Sequence, residues 1–401
     1  MNIAIISSGT ELLRGAVVNA DLAEIGRRLL AAHVPASRAV VAGDSRRELV
    51  EALAQTARDA DVLIVTGGLG STADDRTRDA AAEFFGRRLV RDAKLADELR
   101  RWYRRRHGEG KIPRALFRQA DVPEGAEILP NSEGSAPGLS FTTTYAGHSL
   151  QVFLLPGPPH ELVPMFETRV LPRLAPDGGG VTVRLLIEGA GELELEAALD
   201  AAKCPAERAY CAIPGGTRLF LTGAPETVGR ARASVQELFP GRAADADTLA
   251  EACVKRLAEH HLTLGLAESC TGGLIAEEIT SVPGASRIFT GGIVAYDNRV
   301  KRDVLGVPEE VLLKSGAVSE PCAAAMAEGA ARVLGTDLAG AVTGVAGPDG
   351  GTPEKPVGLV WIAATFRGRT VTRECHFRGG RETVRLRTAA ALFGLFREIL
   401  A

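Results

Sequence analysis

Apolar and polar positions along residues 1 to 172 switch repeatedly between strand and helix spacing. Ile3 to Ser7 is a short apolar run, Ala20 to Ala32 repeats its apolar residues at helical spacing, and Ser37 to Val41 reads as a strand. Arg46 to Asp59 follows as an amphipathic helix, and Val62 to Thr66 as an apolar strand running into Gly67-Gly68. This alternation predicts a parallel sheet covered by helices. Such sheets bind ligands at the carboxyl ends of their strands. The polar clusters fall there: Gly9-Thr10-Glu11 after the first strand, Asp44 after the second, and Gly67 to Asp75 after the third.

Pro172 to Gly180 has the composition of a linker. Beyond it, a strand over Val181 to Glu188, a helix over Glu192 to Ala202, strands over Ala209 to Ile213 and Arg218 to Thr222, and a helix over Pro225 to Leu238 predict a small α+β module. That order resembles a KH-like fold, without the Gly-x-x-Gly clamp that RNA-binding members place between two helices, so a spacer is expected. A second linker spans Phe239 to Asp247, and a helix over Leu249 to His260 and a strand over Thr263 to Ala267 open a last α/β domain. The expected division is 1–172, 173–245 and 246–401.

Composition sharpens this picture by exclusion. A chain of 401 residues exceeds what one core usually serves. With 45% hydrophobic residues, 24% charged residues and a net charge of -3, nothing global draws it to nucleic acid. Arg100 to Arg106 interleaves cations with Trp102 and Tyr103, but one such run reads as a solvated helix face. The start lacks the basic region and long apolar core of a signal peptide or membrane span, so a cytoplasmic protein is expected. Six scattered cysteines form no Cys-x-x-Cys pair and read as reduced thiols.

The densest chemistry lies beyond Ala267. Ser269, Thr271, Gly272 and Gly273 follow a strand and open a helix over Leu274 to Thr280; free amides there suit an anion, or one hydroxyl merely caps the helix. Gly344 to Gly351 makes either a nest of amides or an ordinary turn, and Lys355 and Arg381 add positive charge. Ser286, Tyr296 and Lys301 suggest an amidohydrolase, because a serine attacks an amide only when a base takes its proton and no histidine stands close in sequence. In the first domain, the Gly67 to Asp75 loop joins glycines that admit a phosphate to Asp74 and Asp75, hard ligands for Mg²⁺-like ions, or else Asp74 or Asp75 caps the next helix. Glu11 and Asp44 point to the same crevice, and Leu155 to Glu161 adds a proline-stiffened loop ending in an acid.

Ala-Glu-Ser-Cys-Thr-Gly-Gly at 267 to 273, Gly-Gly-Ile-Val-Ala-Tyr-Asp-Asn at 291 to 298 with Lys301 beyond, Gly-Ala-Val-Ser-Glu-Pro at 316 to 321, Thr-Gly-Val-Ala-Gly-Pro-Asp-Gly-Gly at 343 to 351 and Lys-Pro-Val-Gly at 355 to 358 resemble the CinA C-terminal domain family, the nicotinamide mononucleotide deamidases. The resemblance implies a cofactor-free serine amidohydrolase that converts nicotinamide mononucleotide to nicotinic acid mononucleotide and ammonia. It implies Ser286 as nucleophile, Lys301 as base, Tyr296 as their partner and Thr343 in support, with substrate on Ser269, Thr271, Gly272, Gly273, Asn298, Gly344, Gly347 and Arg381. Ala285-Ser286 stands where the family often has Ser-Ser; the ten residues to Tyr296 select Ser286, and Ser269 is the competing nucleophile.

Gly9 to Gly15, the Gly67 to Asp75 loop, Val122 to Ala126, Asn131 to Gly138 and Pro156 to Pro159 resemble the molybdopterin-binding, MoaB/MogA-like fold of CinA amino-terminal domains. That resemblance implies metal-dependent hydrolysis of ADP-ribose to AMP and ribose 5-phosphate, with Mg, Mn or Co on Glu11, Asp44, Asp74 and Asp75. Asp75 is expected to be catalytic, and Gly67, Gly68, Gly70, Thr72 and Gly157 to bind substrate. Arg14 and Ser71 depart from the leucine and proline common in relatives. The whole reads as a homodimeric, bifunctional pyridine-nucleotide salvage enzyme taking two small nucleotides, with no membrane or nucleic-acid partner. A nucleotide-binding regulator, or an interaction protein in DNA uptake, is the alternative.

Overall fold

The computed structural model describes residues 1–174 and 180–401, so residues 175–179 of the expected linker lie outside the described residues. Two compact units emerge, Met1–Thr182 and Val183–Ala401. In the first, β1 (Ile3–Ser8), α1 (Ala20–Ala31), β2 (Arg38–Ala42), α2 (Arg46–Ala57) and β3 (Val62–Thr66) come within two residues of the expected elements. The Arg-rich run lies on α3 (Ala93–His107), and β4 (Glu127–Leu129), β5 (Gly138–Tyr145) and β6 (His148–Leu155) complete a six-stranded sheet of order β2-β1-β3-β6-β5-β4.

Strands β2, β1, β3 and β6 are parallel, and β5 and β4 turn antiparallel. Alternate residues of β1 and β3 enter different cores. Ile3, Ile5, Val62 and Ile64 pack with Ile25 and Leu29 of α1, while Ala4, Ile6, Leu63 and Val65 pack with Leu49 and Leu53 of α2. Burial on both faces is why these strands read as unbroken apolar runs. The Asn19 side chain caps α1 through Leu22 N (3.1 Å), and that of Ser45 caps α2 through Glu48 N (3.2 Å).

The second unit holds two sheets. The expected strand-helix-strand-strand-helix order appears as β7 (Val181–Glu188), α4 (Glu192–Ala201), β8 (Glu207–Ile213), β9 (Gly216–Gly223) and α5 (Pro225–Leu238). A short β10 (Ala243–Ala244) inside the expected second linker pairs back onto β7, giving the order β8-β9-β7-β10. Leu186 of β7 joins the core of the last domain, and Arg218 of β9 donates to Asp247 O at 2.6 Å. The α+β module and the last domain thus share one compact unit.

That domain runs α6 (Leu249–Glu259), β11 (Leu264–Glu268), α7 (Leu274–Thr280), β12 (Phe289–Val294), α8 (Asn298–Asp303), α9 (Glu320–Leu334), β13 (Leu338–Gly344), β14 (Leu359–Phe366), β15 (Arg369–His376) and α10 (Arg381–Leu400). Its five-stranded sheet has the order β12-β11-β13-β14-β15, parallel through β13 and antiparallel beyond. One face packs Leu264, Leu266 and Val342 with Phe393 and Phe396 of α10; the other packs Ala267, Ala339 and Ala341 with Cys322, Ala323 and Met326 of α9. Among the described residues, no helix is long and apolar enough to cross a membrane.

A buried charge fastens the module to α6. Glu188, 2% exposed at the end of β7, takes an ion pair from Arg256. Removing one partner of such a pair strands a buried charge, whereas an apolar pair of similar size is tolerated. Arg256→Ala is expected to destabilise the second unit by about 3–5 kcal/mol, and Glu188→Leu with Arg256→Met to recover most of that loss. Denaturant unfolding followed by Trp361 fluorescence in a Trp102→Phe background measures it; a loss under about 1 kcal/mol for Arg256→Ala contradicts it.

Candidate active sites

Strands β12, β11 and β13 lie side by side and parallel, so their carboxyl ends form one edge. Glu268 stands opposite Val294 and Val342, which places Ser269, Ala295-Tyr296 and Thr343 in a row just past the strands. Backbone bonds lock the row: Ser269 N donates to Val342 O (3.1 Å) and Ala295 N to Glu268 O (2.7 Å). Helix α10 closes it. Arg381 donates to Gly347 O (3.0 Å) and to the Tyr296 phenol (3.1 Å), and Arg385 donates twice to Thr271 O (3.0 and 2.7 Å). Thr343 Oγ1 donates to Ala317 O at 2.7 Å and Lys355 Nζ to Ser315 O at 2.7 Å.

Lys301 lies beneath this row, 1% exposed. Its amine donates to Ala295 O (2.8 Å) and Tyr296 O (3.2 Å), and among the described residues it forms no ion pair. Burial lowers its pKa, with the opposing influences of Cys322, Asp297 and Cys270 smaller. The partner count matters chemically. A neutral amine has two N–H groups, which the two carbonyls accept, leaving its lone pair free; an ammonium has a third proton with no acceptor here. The neighbouring thiols are not competing nucleophiles, because burial pushes Cys270 up to about 12 and Cys322 up to about 11.

This geometry bears on two expectations. Ser286 sits on the turn Ala285–Arg287 before β12, while Tyr296 follows it. The six residues of β12 span about 17 Å. Leu264 at the start of β11 donates to Ile288 O, which fixes Ser286 at the amino edge of the sheet, opposite Tyr296 and Lys301 within one chain. Ser269 stands at the carboxyl edge, where Tyr296 also lies. The second concerns the start of α7: the buried Glu268 carboxylate accepts Gly273 N (2.9 Å), Ile275 N (3.2 Å) and Ala276 N (2.8 Å), and Gly272 N donates to Ser269 O. These amides already hold an anion of the chain's own, so they are closed to a phosphate. Asn298 lies exposed at the start of α8, and the Thr271 hydroxyl is buried without a partner.

In the first unit, Glu11, Asp44, Asp74 and Asp75 all line one cavity of about 550 Å³, together with Gly67, Gly68, Gly70 and Gly157. Gly67 is required there: its φ is +89°, and a Cβ would lie 2.5 Å from Ser8 O. Thr72 lies outside the lining and serves the loop itself. Asp75 accepts Gly70 N (2.8 Å), Thr72 N (2.7 Å) and the Thr72 hydroxyl, and Asp44 accepts Thr10 N (2.8 Å) and Ser8 Oγ (3.1 Å). Among the described residues, no three histidine, cysteine or acidic side chains are grouped closely enough to hold a metal ion. The expected four-acid metal centre is therefore not preformed: two of its carboxylates close loops instead.

The comparisons with known proteins agree with this two-unit organisation. The CinA C-terminal domain matches residues 246–400, and a probable molybdopterin binding domain matches residues 4–176. A CinA-like protein of Akkermansia muciniphila is 44% identical over 382 residues, covering 92% of this chain and 90% of that protein. The chain belongs to the CinA family. A putative competence-damage inducible protein of Symbiobacterium thermophilum is 42% identical over 419 residues, covering 98% of this chain and 97% of its own. The crystal structure of competence/damage inducible protein CihA from Agrobacterium tumefaciens shares 41% identity, covering 38% of this chain and 94% of that one, at a TM-score of 0.38.

Three residues of this CinA-family chain escaped the sequence analysis. Asp21, in the first turn of α1, also lines the acidic cavity, and burial raises its pKa to about 6. Its helical spacing hid it among surface positions. Arg385 carried no motif; its place four residues after Arg381, on the same helix face, was the available signal. Glu268 was read as part of a motif rather than as a cap. Glu268→Ala leaves three amides without an acceptor, and a cost of about 3 kcal/mol or more is expected, with faster hydrogen exchange at Gly273, Ile275 and Ala276. Glu268→Gln keeps an acceptor and should lose about half as much. Unchanged exchange in Glu268→Ala contradicts the capping role.

Proposed function

We propose that the second unit hydrolyses the carboxamide of nicotinamide mononucleotide, with Ser269 as nucleophile and Lys301 as general base. The observation that carries this reading is the buried Lys301 amine, whose two carbonyl partners and lowered pKa favour a neutral base one strand from Ser269. Ser269 Oγ attacks the carboxamide carbon as its proton passes to Lys301 Nζ. The resulting ammonium protonates the departing nitrogen, and ammonia leaves an acyl ester on Ser269. Water then attacks the ester, Lys301 takes and returns the proton, and nicotinic acid mononucleotide is released. Arg381, Arg385 and Lys355 supply the positive field for a phosphate, and Thr343 holds the adjoining loop through Ala317. No metal is required for these steps.

For the first unit, ADP-ribose is the proposed substrate, taken as its complex with Mg, Mn or Co. Its cavity is lined by six acids (Glu11, Asp21, Asp44, Asp74, Asp75 and Glu161) and by no lysine, arginine or histidine. A pyrophosphate entering this cavity alone meets repulsion from every charged side chain; one carrying a divalent cation brings the charge that the acids lack. A second reading, in which this unit binds a nucleotide without cleaving it, rests on the absence of a grouped metal-ligand set among the described residues.

Ser269→Ala is expected to reduce ammonia release from nicotinamide mononucleotide by several orders of magnitude, and Ser286→Ala to leave it near normal. The reverse pattern returns the nucleophile to Ser286. Because only the neutral amine accepts a proton, kcat/KM should rise with pH up to the lowered pKa of Lys301 and level off above it. Lys301→Arg should be inactive at every pH, since a guanidinium stays protonated. An active Lys301→Arg enzyme contradicts the base assignment. A chelator should stop ADP-ribose hydrolysis and spare deamidation; ADP-ribose bound but never cleaved at any metal concentration supports the binding-only reading.

A further inference from the structure

A second cavity in the Val183–Ala401 unit belongs to neither candidate active site. It measures about 450 Å³ and opens where the tip of the β8–β9 hairpin meets α6, the segment after α7, and α10. Its walls are apolar, formed by Ile213, Pro214, Leu249, Val282, Leu386 and Ala390. The hairpin tip is held firmly: at Gly215, with φ of +81°, a Cβ would lie 2.8 Å from Leu249 Cδ1 and 2.9 Å from Ala390 Cβ. The cavity is therefore framed by packed backbone rather than by a loose loop, and its size falls among small-molecule pockets.

Its charged lining is uneven. Glu251 is engaged by Asp247 N (2.7 Å) and Lys255 (2.8 Å), Glu277 accepts the Ser281 hydroxyl (3.0 Å), and Arg218 donates to Asp247 O (2.6 Å). Glu278 differs. It lines the cavity half-buried, and among the described residues it makes no hydrogen bond or ion pair. Burial, assisted by Glu277 and Glu268, raises its pKa to about 7. A carboxyl placed against apolar walls without a partner costs stability that a bound cation would offset.

From these observations we infer that this cavity binds a small amphiphilic amine, whose apolar body fills the space between the hairpin tip and α10 and whose ammonium pairs with Glu278. The lining carries three acids, Glu251, Glu277 and Glu278, against one cation, Arg218, which favours a cationic ligand over a phosphorylated one. Glu278 lies in the last turn of α7, at the opposite end from the Glu268-capped start, so the site is distinct from the carboxyl edge of the sheet.

The test is calorimetric titration of the full chain with tryptamine and, separately, with indole-3-propionate, which carries the same ring on a carboxylate. Tryptamine is expected to bind at one site per chain and indole-3-propionate not to bind at the same concentrations. Glu278→Gln, which removes only the charge, should weaken tryptamine at least about tenfold. Ser281→Trp, which fills the cavity from its rim, should abolish binding while keeping the unfolding midpoint of the second unit. Absence of tryptamine binding, equal binding of both probes, or an unchanged affinity in Glu278→Gln overturns the proposal.

Discussion

Desolvation of one amine is the constraint on which the second unit depends. Lys301 is enclosed beneath the carboxyl edge of the sheet, where, among the described residues, its acceptors are the carbonyls of Ala295 and Tyr296. Those carbonyls stay in place because Ala295 N is bonded to Glu268 O, so the position of the amine is inherited from the register of β12 on β11. The same face of the sheet is rich in alanine, including Ala267, Ala339, Ala341 and Ala363, and small side chains let α9 close over it. Water is thereby kept from the amine, and the charged form is disfavoured.

Internal carboxylates recur where three of the strands open into glycine-containing loops. Glu268 holds the amides at the start of α7, Asp75 holds Gly70 and Thr72, and Asp44 holds Thr10. Each loop is shaped in advance by these bonds, which engage the named amides without a ligand. Two consequences follow for function. Under the proposed function, substrate phosphates would be met by side-chain cations or by metal carried on the nucleotide, and the first-unit cavity keeps an acidic lining.

Much of the fold was legible because parallel strands buried on both faces leave unmistakable apolar runs. β1, β3 and β11 fall within two residues of their expected spans for this reason. The surroundings of Tyr296 were harder to read. Spacing in the chain suggested that Ser286 and Tyr296 meet, yet the intervening β12 carries them to opposite edges; Ser269, farther away in sequence, arrives beside Tyr296 through sheet pairing. Long-range register is invisible to local spacing. The first-unit acids show the complementary difficulty. Glu11, Asp44, Asp74 and Asp75 line one crevice, but no sequence pattern revealed that Asp44 would hold Thr10 on the neighbouring loop or that Asp75 would turn back onto Gly70 and Thr72. Asp21 joined them only through the tertiary placement of α1.

The account rests most heavily on Lys301 being able to exist as a neutral amine. Its ionisation can be measured directly by titrating lysine side chains in the folded full-length protein by heteronuclear NMR, with the Lys301 signal assigned by its loss in Lys301→Arg. The account predicts a midpoint clearly below the ordinary lysine range, well separated from that of exposed Lys314. A Lys301 signal titrating together with the exposed lysines would contradict it, because a permanently charged ammonium cannot serve as the base.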